Sequence, residues 1–377
     1  MRDAFVLDPS VTFLNHGSYG ACPRAVLERQ SRLRAQLEAE PVRFMSREYE
    51  PLLDAARARL AQFVGAQPVD LAFVPNATTG VNAVLRSLLF GPGDELVTTN
   101  HGYNACTNAL RYVAERTGAR VVVADVPFPV EDDEQVIAAV RRAVTTRTRL
   151  VLLDQVTSPT AEVFPVDALV RELEARGVPV LVDAAHAPGM VPLHLDSTGA
   201  SYTTGNLHKW VCAPKGAAFL HVRRDRQAGI RPAVISHGAN STRTDKSRFQ
   251  LEFDWTGTDD PTAILCVPTA LDTLSALHPD GWPGVMRANR DAATAAGELL
   301  RDALLPFRGA RSRPGASMVS VEVPLPEPGL HDRLLDEHGI EVPVIPFGGK
   351  TLVRVSMQVH TSLDDVAKLA RLLPRLG

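Results

Sequence analysis

From about residue 70 to residue 221 the chain alternates short β-branched apolar runs with longer stretches of helical spacing. That rhythm belongs to a mainly parallel sheet whose strands are joined by crossover helices, because parallel neighbours need a connection long enough to return to the starting edge. Predicted strands cover 71–74, 95–99, 120–124, 150–154, 179–183, 201–204 and 217–222, with helices at 80–89, 104–116, 134–143 and 167–176. The fold class is α/β, with a large domain built on a seven-stranded sheet.

Upstream, 23–40 and 51–63 read as helices opened by Pro23 and Pro51, a residue tolerated in a first turn. Past residue 260 the texture becomes helical over 262–276 and 287–305, then alternating over 318–323 and 351–357, and it ends in an amphipathic helix at 363–373. This predicts an N-terminal segment at 1–20, a large domain at 21–258 and a smaller α+β domain at 259–377. The charge-rich stretch 223–254 reads as a loop.

Composition narrows the partners. With 40 Lys and Arg against 43 Asp and Glu, the net charge of -3 leaves no electrostatic footprint for nucleic acid or an acidic membrane. The expected partner is a small molecule. No signal-peptide pattern opens the sequence and no apolar run reaches spanning length, so a cytoplasmic location is expected. Cys22, Cys106, Cys212 and Cys266 are scattered without CxxC pairing, which argues against a disulfide framework and a cysteine-rich zinc site. No metal is expected, and the cysteines read as small buried hydrophobes.

The chemistry concentrates in three segments. Tyr202-Thr-Thr-Gly-Asn-Leu-His-Lys-Trp210 places Lys209 after a strand in apolar and aromatic company, where burial lowers an amine's pKa and favours Schiff-base formation. In Val180-Leu-Val-Asp-Ala-Ala-His-Ala-Pro-Gly189, Asp183 ends an apolar strand, facing the crevice where α/β sheets bind ligands. A carboxylate there suits a protonated pyridine nitrogen, and His186 follows three residues later. In Pro75-Asn-Ala-Thr-Thr-Gly80, Thr78 and Thr79 stand at a helix start that can cradle a phosphate; a plain N-cap accounts for the same residues.

With Phe13-Leu-Asn-His-Gly-Ser-Tyr-Gly20, Pro41-Val-Arg-Phe44, Val156-Thr-Ser-Pro-Thr160, Ala213-Pro-Lys-Gly216 and Trp255-Thr-Gly-Thr258, these segments resemble the class V aminotransferase group of fold type I pyridoxal-phosphate enzymes. Within it they resemble most the isopenicillin N epimerase-like subgroup. The resemblance implies pyridoxal 5'-phosphate (PLP) as cofactor, with Lys209 as its Schiff-base lysine and catalytic base. It places Asp183 on the pyridine nitrogen, His186 beside the 3'-oxygen, Tyr103 on the ring face, and Thr78, Thr79, Asn206 and His208 at the phosphate. Thr258 would reach the phosphate of a neighbouring subunit, making the protein a homodimer. Arg354, unusual within an alternating β-run, matches the arginine that clamps a substrate carboxylate, with Asn15 and Arg43 as further substrate contacts. Gln155 departs from the subgroup, which places histidine there.

The implied reaction breaks a bond at the α-carbon of an amino acid, an S-substituted cysteine or a related natural-product intermediate. β-Elimination and epimerisation stand level as its outcome; decarboxylation, oxidative deamination and transamination are the alternatives. A desulfurase's mobile cysteine is missing from Glu341-Val-Pro-Val-Ile-Pro-Phe-Gly-Gly-Lys350. A nucleotide-binding protein would show a Walker or GxGxxG motif in context, and none occurs. A catalytically silent α/β binding protein gives no reason for Asp183, Lys209 and the threonine pair to fall together.

Overall fold

The computed structural model describes residues 1–326 and 328–376. Its strands, in chain order, are β1 (Thr12–Phe13), β2 (Leu71–Val74), β3 (Glu95–Thr99), β4 (Arg120–Ala124), β5 (Thr148–Asp154) and β6 (Val180–Asp183). They continue with β7 (Tyr202–Asn206), β8 (Ala218–Val222), β9 (Met318–Val323), β10 (Ile340–Glu341), β11 (Val344–Phe347) and β12 (Lys350–Ser356). The main helices are α1 (Arg24–Ala39), α2 (Tyr49–Val64), α3 (Ala77–Ser87), α4 (Asn104–Thr117), α5 (Asp133–Ala143), α6 (Val166–Ala175), α7 (Val267–Ser275), α8 (Gly281–Ala303) and α9 (Leu363–Leu372).

Seven strands form one sheet in the order β2-β8-β7-β6-β5-β3-β4, parallel throughout except for β8, which runs against both its neighbours. β2, β3, β6, β7 and β8 are buried along their whole length, and β2 and β6 accordingly read as near-continuous apolar runs rather than alternating ones. Strand ends shift by one or two residues from the sequence reading. The stretch read as a loop at 223–254 contains a short helix, Arg248–Phe253, capped by the Ser247 side chain.

Beyond residue 300, β11-β12-β9 form an antiparallel sheet packed with α8 and α9. β1 pairs in parallel with β10, so the N-terminal segment is stitched to the C-terminal part, with Leu14 in its core. The core of the C-terminal part separates from the large-domain core later than position 259. Cys266 to Val285 bury their apolar side chains with α1 and α2 in the large core, and the smaller core begins at Ala293. α8 starts six residues earlier than its apolar spacing suggests, because Pro283 lies in the first turn, where its missing N–H costs nothing. No described helix is long and apolar enough to cross a membrane.

Candidate active site

Sheet register assembles the centre of the site. Asp154, Asp183 and Thr204 stand side by side at the C-terminal ends of β5, β6 and β7. Lys209 follows β7 by three residues and is half-buried; that desolvation, helped by the charge of Arg354, pulls its amine down to about 7. Its Nζ lies 3.1 Å from His186 Nε2.

The indole of Trp210 donates from Nε1 to His186 Nδ1 at 3.4 Å. An indole nitrogen can only donate, so the proton of neutral His186 sits on Nε2 and faces Lys209. Such a proton needs a lone pair to meet it. The hydrogen bond therefore selects the uncharged amine, in agreement with its lowered pKa, while burial also holds the imidazole pKa well below its usual range.

Burial raises the pKa of both Asp183 and Asp154, and the charge of Asp183 raises Asp154 further. Two adjacent dry carboxyls do not both ionise cheaply. Asp183 keeps the charge, since Ala185 N donates to its Oδ1 at 2.9 Å and the Cys106 thiol to its Oδ2 at 3.1 Å. Asp154 accepts from Tyr103 N at 3.2 Å, and its carboxyl is pushed up further than that of Asp183.

At the start of α3 the threonine segment forms a helix cap. Asn76 is a true N-cap, accepting from Thr79 N at 2.9 Å and from Thr79 Oγ1 at 3.1 Å, and Asn206 Oδ1 accepts from Ala77 N at 2.8 Å. Asn206 thereby binds the helix start to the end of β7. Gly80 permits the close approach, because a Cβ there would lie 2.2 Å from Thr204 Oγ1. His208 is mostly buried, its Nδ1 is 3.2 Å from Ala217 O, and burial brings its pKa to about 4.

The N-terminal segment closes over this row. Gly20, at φ +72°, passes so near the His208 carbonyl that a Cβ would stand 2.0 Å from its oxygen. His16 Nε2 lies 3.0 Å from Lys209 O. From the other side, buried Arg354 on β12 donates to Ser158 O at 2.5 Å, to Ser158 Oγ at 3.1 Å and to Ser18 Oγ at 3.2 Å. No carboxylate pairs with it among the described residues, and its Nε has no acceptor.

Asn15 joins this side through Ser18, whose hydroxyl donates to Asn15 Oδ1 at 2.5 Å. Tyr103 caps α4 with its ring half-exposed. Two expected residues are not drawn in. Arg43 is exposed and paired with Glu48 at 2.8 Å, and Thr258 lies exposed with no hydrogen bond to another described residue. Gln155 contributes backbone bonds to Asp183 and Phe164. Asp154, Cys106, Ser18, Ser158 and Trp210 were not singled out from sequence. Asp154 repeats the pattern that exposed Asp183, an acid closing an apolar strand.

A separate group, Asp70, Asp196 and His221, has the composition of a metal site. It lies at the opposite end of the sheet, and Asp70 Oδ1 is already engaged by Arg224 at 2.6 Å and Gln227 at 2.7 Å.

The family model "Aminotransferase class-V" matches residues 14–369. The chain belongs to the class V aminotransferase family. Among members of this family, isopenicillin N epimerase of Amycolatopsis lactamdurans is 34% identical over 100% of this chain and 98% of its own. A putative L-cysteine desulfhydrase of Oryza sativa subsp. japonica is 32% identical over 84% of this chain and 68% of its own. The fold is that of C-DES, solved as a mutant with glycine covalently linked to its PLP cofactor: TM-score 0.86, 22% identity, with 100% of both chains covered.

Proposed function

We propose that this class V family member is a PLP-dependent enzyme that takes the α-proton from an amino acid and then expels a sulfur substituent from its β-carbon. The observation that carries the amino-acid reading is the contrast between two cationic side chains at the site. Lys209 is half-buried and its amine, drawn down to about 7, loses its proton readily, whereas Arg354 keeps a buried guanidinium facing only neutral oxygens. A carboxylate ligand offsets that desolvation with a charge-assisted pair.

The residues fit PLP by their chemistry. Lys209 is an uncharged amine able to carry an aldehyde, Asp183 is a buried carboxylate with both oxygens oriented, and the first turn of α3 with Thr78, Thr79, Asn206 and His208 offers hydrogen-bond donors to a phosphate. When bound, the cofactor supplies an electron sink conjugated to the substrate's α-carbon. Tyr103, beside Asp154 at the strand ends, would cover its ring.

Arg354 and Asn15 hold the substrate carboxylate. Lys209 Nζ removes the α-proton and returns it to the leaving sulfur, so one base serves both steps. His186, fixed by Trp210, aims its Nε2–H at the working amine without adding charge. Epimerisation is the second reading, favoured by the relative that is 34% identical over the whole chain. It requires a proton donor across from Lys209, a part open to the Tyr103 hydroxyl.

We also infer a homodimer with a cytoplasmic location. Exposed Thr258, unbonded within its own chain, and outward-facing Leu89, Val234 and Ile235 support a surface that a second copy covers.

Purified protein should show a visible chromophore that borohydride reduces and that Lys209→Ala abolishes. With S-alkyl cysteines in deuterated water, pyruvate and free thiol mark the lyase, and α-deuterated amino acid of inverted configuration marks the epimerase. A colourless protein that takes up no PLP overturns the reading.

A further inference from the structure

The start of α4 is tied to the sheet at two points. Tyr103 N donates to Asp154 Oδ1 at the end of β5, and one turn later the Cys106 thiol donates to Asp183 Oδ2 at the end of β6. The thiol also contacts the Thr78 hydroxyl in the first turn of α3. Cys106 thus sits between the helix start read as the phosphate site and the carboxylate read as the ring-nitrogen partner. It is 1% exposed.

We propose that Cys106 is a positioning residue whose thiol orients the Asp183 carboxylate for the cofactor's ring nitrogen. The assignment rests on the role given to Asp183 above. In a dry site each carboxylate oxygen needs a donor, and a missing donor to a charged group costs more than a missing neutral bond. Ala185 N serves Oδ1, and the thiol serves Oδ2 while leaving it a further lone pair for the incoming nitrogen. The Asp154–Tyr103 bond fixes the helix start so that the sulfur arrives at this distance.

The other buried cysteines behave differently. Cys212 and Cys266 make contacts of 3.6 to 3.9 Å, none of them to a carboxylate, as packing groups do. For Cys106, burial first and the charge of Asp183 second push the thiol well above its usual range, so it stays protonated and acts as a donor rather than as a nucleophile. A methyl or isopropyl group in its place fills space and donates nothing.

The test compares holoenzyme carrying Cys106→Ala, Cys106→Val or Cys106→Ser with wild type, reading PLP affinity and release by absorbance. Melting of the cofactor-free proteins serves as a folding control. Loss of one charge-assisted donor should weaken cofactor retention about tenfold in the alanine and valine variants, and serine should restore it to within about threefold. Pure packing predicts the reverse order, with volume-filling valine best and serine, which buries a hydroxyl, worst. Serine no better than valine, or all three variants indistinguishable from wild type, overturns this assignment alone. A wild type that takes up no PLP overturns the proposed function and this assignment together.

Discussion

Arg57 and Arg354 are both withdrawn from water, at 2% and 3% exposure, and they differ in what faces them. Arg57 on α2 lies between Asp54 and Asp254, and Lys246 joins the same carboxylates at 2.7 and 3.4 Å. Arg354 meets a carbonyl and two hydroxyls, and burial draws its pKa down to about 10. The first charge is neutralised inside the fold and fastens α2 to the segment before residue 258. The second leaves a desolvation cost for a bound carboxylate to relieve. The paired charge acts as scaffold, and the unpaired one is what the proposed substrate carboxylate would neutralise.

Substitution should separate the two sharply. Arg354→Ala is expected to lower kcat/KM by a hundred- to a thousandfold, on the order of 3–4 kcal/mol of lost transition-state binding, while leaving the melting temperature equal to or above that of wild type. A large fall in stability with kcat/KM retained would break the contrast. Arg57→Ala should do the opposite, losing about 3 kcal/mol of stability in denaturant titrations because the Asp54 and Asp254 carboxylates are left with Lys246 as their one shared cation, with kcat/KM per folded molecule retained.

Lys209 sharpens the comparison as a third, half-buried cation, one whose charge is easily shed. In the cofactor-free protein its amine titrates near 7 against an ordinary 10.5, so between those values the unfolded chain holds a proton that the folded chain does not. Wild-type stability should climb with pH across that window relative to Lys209→Met, with the gap widest below pH 7 and closed above about 10.5. Melting curves at several pH values read this directly, and a gap independent of pH would refute it. The smallest effect belongs to a solvated pair: Arg141→Ala, which removes the contact with Glu172, should move the melting temperature by no more than about 2 °C.

The legible parts of the molecule were those encoded locally. The strands of the large sheet are legible because they are short runs rich in β-branched or apolar residues closed by turn formers, and Asp183 and Lys209 stand out at or just beyond the ends of β6 and β7. What escaped depends on distant pairing. Asp154 gains meaning only from the register that sets it beside Asp183, and Cys106 from the helix start that brings its sulfur to that carboxylate. The hairpin of β11 with β12 begins in a Pro-rich run with little alternation, and β1 and β10 are two-residue strands that no local pattern announces.

That last pairing governs when the enzyme can exist. Thr12 finds its partner at Ile340, and Asn15 its hydrogen bond at Glu341, 326 positions away. Closing so large a loop is among the slowest steps open to a chain, since its entropy cost falls due before any contact offsets it. During synthesis the sheet bearing Lys209 is complete long before β10 and β12 emerge. A large sheet folded alone would therefore carry its amine without the Arg354 guanidinium and without the N-terminal segment locked above it. The site becomes whole only once β10 and β12 have joined the N-terminal segment to that sheet.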